Sequence, residues 1–572
     1  MSPSWKNIAQ EKQKVRADEI TKVLKQLNVT LDGTGVVESS DEQYISATAC
    51  EIVKHIEAGE WTSTLVVTAY IRQAARAQAA TNCLTEILFA QAIKEARDLD
   101  AEFASTKRLR GPLHGVPVSF KDQFEITGYD ATIGYTQWAN QACTSDAKLV
   151  KEFREAGAII IAKTNVPQTM LSFECSNPLF GRSTNPWSSN HTCGGSSGGE
   201  AALLASGGSA LGIGSDIGGS LRIPAGYCGV YSLKPGHGRL SKDGARAPAP
   251  GFEAIQTVMG PMARSVEDLE LVARAFFGKR AASEILAPFP YSPASLPQKL
   301  RFGYYTSDLF VKASPACRRA VLETVQALRK QGHECVEFDP TLAREAMYTF
   351  IGLTSADGYR KLLSHLGPDP QEGSLFLTTL GPKFPGFIRA VASWVVRTLI
   401  GDDVFAGCVM NSRIKSTGEF YDLVAQRDQL RKKWYEEVWA KHQFDGIIAP
   451  IQATPALPHR ATTTLSPLAA GTILYNVIDS PVGIIPVTRV DPSEDQITED
   501  WVKGLGHGSK ILERGLYHEK DAPYNPEKMK GLPVGVQIIG KSFEEEKVLE
   551  MMKVVDQALG PRDFGPKIRP QL

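Results

Sequence analysis

One glycine- and serine-rich stretch, residues 193–235 (CGGSSGGEAALLASGGSALGIGSDIGGSLRIPAGYCGVYSLKP), limits what this chain can become. Glycine serves where a backbone must turn tightly or approach another group closely. These glycines flank serines inside apolar, periodic sequence, which argues against a flexible linker. A phosphate loop of the GxxxxGK[ST] type needs a lysine after the glycines, and none follows. A dinucleotide fingerprint starts at Gly212 and Gly214 but meets Ile217 at its third glycine position. What remains is a set of backbone N–H groups around serines, which is what a nucleophile and its oxyanion hole require.

Two serines compete for the attacking role. Residues 195–199 (GSSGG) fit GxSxG, which would make Ser197 the nucleophile of an α/β-hydrolase elbow. Such an elbow follows an apolar strand, whereas NPWSSNHTC is polar and turn-rich. Ser220 instead follows the apolar run SALGIGSD and the pair Gly218-Gly219. A serine nucleophile needs a base. The only nearby histidines, His191 and His237, lie outside the stretch or at its margin, while Lys121 ends an apolar run about a hundred positions upstream of Ser220. A desolvated lysine there would be held neutral, well below its usual pKa of about 10.4. A second acyl-transfer pattern, SxxK at Ser145–Lys148, lacks the SDN and KTG companions it would need and reads as chance.

The segments VSFKDQF, GGSSGGEAAL and GSDIGGSLRIPAGYCGVYSLKP, with their mutual spacing, resemble the amidase signature family of serine hydrolases. The likeness runs from about residue 60 to VGVQIIG near the C-terminus. KTNVPQTMLSFECSNPLFGRSTNPW looks like the branch shared by fungal acetamidases and fatty acid amide hydrolases, and KDQFEITGYDATIGYT leans towards the acetamidase side. The resemblance implies Ser220 as acyl-accepting nucleophile, Ser196 in a cis peptide as proton bridge, and Lys121 as base. It implies an oxyanion hole from the amides of Ile217, Gly218, Gly219 and Ser220, and a substrate contact at Met170. Supporting roles fall to Ser197, Asp216 and Arg222, the last two bracing the nucleophile turn. Cys193 replaces the proline often found before GGSSGG. No metal or cofactor is implied. The expected reaction is amide hydrolysis through an acyl-enzyme, with a small-molecule amide as partner.

The implied architecture is α/β: the amidase signature fold, a mixed twisted sheet covered by helices on both faces. Residues 1–60 are expected as an N-terminal helical extension and 61–572 as one amidase domain, with the signature core at about 111–240. The polar 491–531 stretch is expected as a surface insertion. Helical period predicts helices over 5–27 (buried stripe Ile8, Val15, Ile20, Val23, Leu24, Leu27), 46–58, 62–78 and 84–106. Thr48 and Glu51 form a capping-box pattern. Helix–strand alternation recurs through 146–165 and 299–338, and strands are expected at 444–450, 480–490 and 532–540.

The charge balance, 63 basic against 63 acidic residues, supplies no basic field for nucleic acid. Nine scattered cysteines without a CxxC fit a reducing compartment. The charged N-terminus has no apolar core of a secretory signal, and the terminal RPQL matches no lipidation signal, so a cytoplasmic protein is expected. The segment 381–403 has Phe387, Ile388, Val391, Trp394, Val395, Leu399 and Ile400 at helical spacing. It is too short to span a bilayer. A core or dimer-interface helix is favoured there over a peripheral membrane contact through 384–400 or a hydrophobic entrance for an acyl chain. Three other functions stay open: an amidotransferase-type subunit acting with partners, an esterase-like hydrolase using Ser197, and a non-catalytic binding protein.

Overall fold

The computed structural model describes residues 4–27, 41–279, 286–503, 508–518 and 521–570. Its centre is an eleven-stranded sheet. In chain order the strands are β1 (Leu84–Ile87), β2 (Pro117–Lys121), β3 (Ile159–Thr164), β4 (Leu211–Asp216), β5 (Tyr231–Lys234), β6 (Val258–Ala263), β7 (Arg301–Tyr304), β8 (Glu334–Glu337), β9 (Gly446–Pro450), β10 (Val482–Arg489) and β11 (Pro533–Ile539). Their spatial order is β1-β3-β2-β4-β6-β5-β10-β11-β9-β7-β8. The pairs β2–β3, β2–β4, β7–β8 and β7–β9 are parallel and the others antiparallel, so the sheet is mixed.

Every residue of β2, β3, β4 and β11 is buried. Strands apolar on both sides must be covered on both sides. The covering helices include Gly198–Ala205 over β2–β4 and, over β9–β11, Pro315–Lys330 with Glu545–Leu559. One continuous apolar core runs from Ile20 to Val555, so helices of the first 60 residues share it with the main body.

Several local expectations are met in detail. Thr48 and Glu51 close a reciprocal capping box on the helix Ala49–Glu57. Strands form at the three C-terminal apolar runs. Others are corrected. The expected helix 84–106 is split: Asn82 in the left-handed region (φ 53°) ends the preceding helix, LTEI becomes edge strand β1 against β3, and the helix starts only at Phe89. Edge pairing with β3 overrides the helical period of four residues. On the first helix, Trp5–Gln26, Val15 is exposed, while Lys12 is buried and paired with Glu86 (2.6 Å) and Asp130 (2.8 Å).

The described part of 491–531 is not a surface loop. It carries three short helices and buries Trp501, Leu512, Leu516, Tyr517, Tyr524 and Met529. Asp495 there is fully buried and receives Arg319 in two hydrogen bonds of 2.9 and 2.8 Å. Met1–Pro3 at the N-terminus and Gln571–Leu572 of the terminal RPQL lie outside the described residues.

The apolar segment also departs from its favoured reading. The helix Gly386–Val395 and its wider continuation Val396–Ile400 lie at the surface. Phe387 is 71% exposed, Trp394 58% and Leu399 70%. A core helix would bury these side chains, so the core reading is wrong. No helix among the described residues is long and apolar enough to cross a membrane.

Candidate active site

Lys121 is the last residue of β2, between β3 and β4, and is completely buried. Its Nζ lies 2.6 Å from Ser196 Oγ and 2.9 Å from Ser215 Oγ. Burial pushes its pKa down from the ordinary lysine value to about 7, although Asp216, Cys175 and Glu200 pull the other way. The burial therefore favours the neutral amine, the form able to accept a proton.

Ser196 follows a cis peptide bond from Gly195. Gly194 at φ 82° turns the chain into it, and a Cβ there would meet Pro224 Cα at 2.7 Å. Ser197 is the N-cap of the helix Gly198–Ala205 and is fully buried. Its Oγ lies 3.4 Å from both the carbonyl and the N–H of Ser215. A short strand, Ser188–Thr192, does precede Ser197, but it pairs with Thr184–Asn185 in a separate two-stranded sheet and not in the central one, and the Ser197 hydroxyl is buried in the fold. Its N–H donates to the Ser220 carbonyl at 3.1 Å, tying the two serine loops together.

Ser220 sits where β4 ends and the helix Arg222–Cys228 begins. The turn is built on Asp216, which accepts from Gly219 N–H (2.8 Å), Leu221 N–H (3.0 Å) and Asn476 Nδ2 (2.7 Å). Arg222 contacts the same carboxylate through Nη2 (3.0 Å) and Nε (3.1 Å) and extends to the Thr472 carbonyl (2.8 Å) and Asn476 Oδ1 (2.5 Å). Burial alone would raise the Asp216 pKa, but the Arg222 guanidinium more than offsets it and holds the carboxyl well below the usual range. The bracing expected of Asp216 and Arg222 is thus explicit.

The amide of Gly219, expected among the oxyanion donors, is spent on Asp216. The N–H groups of Ile217, Gly218 and Ser220 have no protein acceptor among the described residues. Ser196 and Ser220 both open onto a cavity of about 1350 Å³. Among the described residues the side-chain hydrogen-bond chain from Lys121 reaches Ser196 and does not continue to Ser220.

A second cavity, of about 360 Å³, meets the first at Met170, Ile217 and Ser220. Its wall is apolar, with Phe173, Met347, Phe350, Leu377, Phe384 and Ile473 among its residues. Met170 holds a positive φ of 59° and lines both cavities. Phe384, Ile388 and Ala392 bring the exposed apolar helix into the wall of the smaller cavity.

Five neighbours escaped the sequence reading: Ser215, Gln123, Glu200, Thr472 and Asn476. Glu200 is fully buried, hydrogen-bonded by Ser119 and Thr164, and burial lifts its pKa to about 7 despite those bonds and Lys121. Gln123, Glu200 and Ser215 lay inside the quoted motifs, and Gln123 carried a signal in standing two residues from Lys121. Thr472 and Asn476, about 250 positions from Asp216, carried none. Among the described residues no group of three or more His, Cys, Asp or Glu side chains is placed to hold a metal ion, and all nine cysteines are free thiols.

The fold is α/β, a mixed sheet with a buried lysine and two serines gathered at the ends of β2 and β4. The sequence profile of the Amidase family matches residues 65–549, and the chain belongs to that family. It is 33% identical to fatty-acid amide hydrolase 1 of Sus scrofa over 520 residues, covering 89% of this chain and 85% of that one. It is 31% identical to acetamidase of Emericella nidulans, covering 98% of this chain and 99% of that one. A solved fatty acid amide hydrolase superposes with a TM-score of 0.81 at 28% identity, over 97% of this chain and 90% of that one. The protein is an enzyme of the family that hydrolyses amide C–N bonds.

Proposed function

We propose that this enzyme hydrolyses amides through an acyl-enzyme on Ser220. Neutral Lys121 takes the proton of Ser196, which takes that of Ser220, and Ser220 Oγ attacks the amide carbon. The N–H groups of Ile217, Gly218 and Ser220 stabilise the oxyanion. The relay then returns the proton to the amide nitrogen, so the C–N bond breaks with a neutral amine leaving. Water attacks the acyl-enzyme by the same relay and releases the carboxylic acid.

The observation that carries this reading is a buried lysine with a pKa of about 7, 2.6 Å from Ser196, beside a loop that presents Ser220 to the cavity. An esterase elbow at Ser197 is disfavoured by that hydroxyl's complete burial. The test is Ser220→Ala. Amide turnover and covalent labelling by a fluorophosphonate should both vanish, with Ser197→Ala still labelled. Label transferred to Ser197 would refute the assignment.

The apolar cavity at Ser220 favours an amide with a hydrophobic acyl group, the amine side lying in the larger, more polar cavity. kcat/KM across an acyl-length series should rise from acetyl to longer chains, and a maximum at acetyl would overturn this. The helix 386–395 roofs that cavity while exposing Phe387, Val391 and Trp394, flanked by Lys383, Arg389 and Arg397. We propose that this face rests on an anionic lipid surface, from which amphiphilic amides would enter. Vesicle co-sedimentation should be lost on Trp394→Glu; unchanged sedimentation, or a dimer disrupted instead, counts against it.

A further inference from the structure

Lys121 Nζ has two hydroxyl neighbours at hydrogen-bond distance, Ser196 at 2.6 Å and Ser215 at 2.9 Å. A neutral amine has one lone pair and can accept from only one of them. If Ser215 donated its proton to Lys121, the lone pair would be occupied and Ser196 could not be deprotonated. Something must decide which hydroxyl donates.

The deciding groups lie behind Ser215. Ser215 Oγ is 2.5 Å from Gln123 Oε1, an amide oxygen that accepts and does not donate. The Ser215 proton therefore points at Gln123, and its lone pairs face Lys121. The orientation of the Gln123 amide is set in turn by Met259, whose Sδ lies 4.0 Å from Nε2. A thioether accepts and has no hydrogen to donate, so the NH2 end belongs there and the oxygen belongs at Ser215.

The placement is fixed by the sheet. Met259 on β6 is the register partner of Ser215 on β4, and Gln123 follows Lys121 by two residues at the end of β2. The Gln123 backbone carbonyl is pinned by Arg246 N–H at 2.8 Å. Gln123, Ser215 and Met259 are 2%, 4% and 3% exposed, so solvent competes weakly for these bonds.

We propose that Gln123 is a positioning residue that orders the protons around Lys121: Met259 orients Gln123, Gln123 takes the Ser215 proton, and Lys121 keeps its lone pair for Ser196. This rests on the reading of Lys121 as base. Gln123, Ser215 and Met259 also line the larger cavity, but the ordering acts through their contacts with one another and with Lys121 and requires no bond from them to the amide. The ionisable groups that act on Lys121 are Asp216 at the end of β4, Glu200 on the helix Gly198–Ala205, and Cys175. Gln123 adds no charge to them, so its loss should change the rate more than the pH at which the rate appears.

The experiment is a double-mutant cycle on amide hydrolysis. Gln123→Met keeps the side-chain length and removes the acceptor. It should lower kcat about 10- to 100-fold, part of what a positioned base contributes, with KM and the acid limb of the pH profile nearly unchanged. In a Ser215→Ala background the competing hydroxyl is gone, and Gln123→Met should cost less than about 3-fold more. Gln123→Glu restores the acceptor. It should recover most of kcat at high pH, with the acid limb moved upward because the new carboxylate favours the ammonium form.

A Gln123→Met cost that is the same with and without Ser215, or a change confined to KM, overturns the proposal. So does failure of Gln123→Glu to recover kcat in a folded protein. Lys121→Ala run in parallel separates the two readings. Loss of turnover there with a fully active Gln123→Met refutes the ordering role alone, whereas persisting turnover in Lys121→Ala refutes the base itself.

Discussion

Asp216 and Arg222 meet in a two-point contact, both side chains fully buried, directly around the turn that carries Ser220. The same carboxylate also holds two N–H groups of that turn, so the pair shapes the loop that presents Ser220. Removing one partner of a buried ion pair leaves an uncompensated charge, at a cost of about 3–5 kcal/mol. Arg222→Ala should lower the unfolding free energy by about that amount in urea titration and abolish amide turnover even where the protein stays folded. A stability change below about 1 kcal/mol would show that the carboxylate is satisfied without Arg222.

The pH dependence follows from Lys121. Its pKa is pushed down to about 7, and the base form is the deprotonated one. Turnover should therefore rise with pH through a midpoint near 7 and level off above it. Lys121→Ala should lose that limb and about 10²–10⁴ of the amide rate. Esters should lose less, because an alkoxide departs without prior protonation while an amine does not. Matched amide and ester substrates measured from pH 5 to about 10 decide the point.

Glu200 is a charge that Lys121 feels from beneath the loop. Burial moves Lys121 down and Glu200 up to about 7, so the charge on one bears on the protonation of the other. Glu200→Gln keeps acceptor and donor atoms for Ser119 and Thr164 but removes the anion that supports the ammonium form. The acid limb should move to lower pH. A limb that stays in place would mean that Glu200 is already protonated wherever the enzyme works.

The apolar cavity offers a change of specificity that leaves the reacting groups alone. Ala392 lines that cavity from the helix Gly386–Val395 and is only partly buried. Ala392→Phe would place a ring inside it. kcat/KM for long acyl amides should fall about tenfold or more, and that for acetyl amides should stay within about twofold. Equal losses for both would place the acyl chain elsewhere.

The legible part of this protein was the part written in short, local chemistry. Lys121, Ser196 and Ser220 stood in motifs whose residue types and order reflect what the backbone must do there, and the structure brings Lys121 against Ser196 and both serines to one cavity. Strands such as Ile159–Thr164 announced themselves by apolar length. Three things did not show. LTEI has helical period but is taken by the edge of the sheet, because a free strand edge next to it outweighs four residues of propensity. Gly219 was expected to offer its amide to substrate; only the three-dimensional position of Asp216 reveals that it is already engaged. The segment 384–400 reads as a core or dimer-interface helix on hydrophobicity, which measures how apolar a face is and is silent on what covers it; its exposure removes only the core half of that reading.

The walls of the smaller cavity come from a different part of the chain than Lys121 and the serines proposed to react with it. Apart from residues 170–173, Gly195 and the nucleophile turn with Ile223, they belong to 347–412 and 466–473, whereas Lys121, Gln123, Ser196, Ser215 and Ser220 all fall within a hundred residues of sequence on adjoining strands and loops. Substitutions that reshape what the enzyme accepts can therefore accumulate in one region of the gene while the reacting machinery is inherited unaltered from another. Such a layout lets a lineage trade one amide for another in small steps, each intermediate still a working hydrolase.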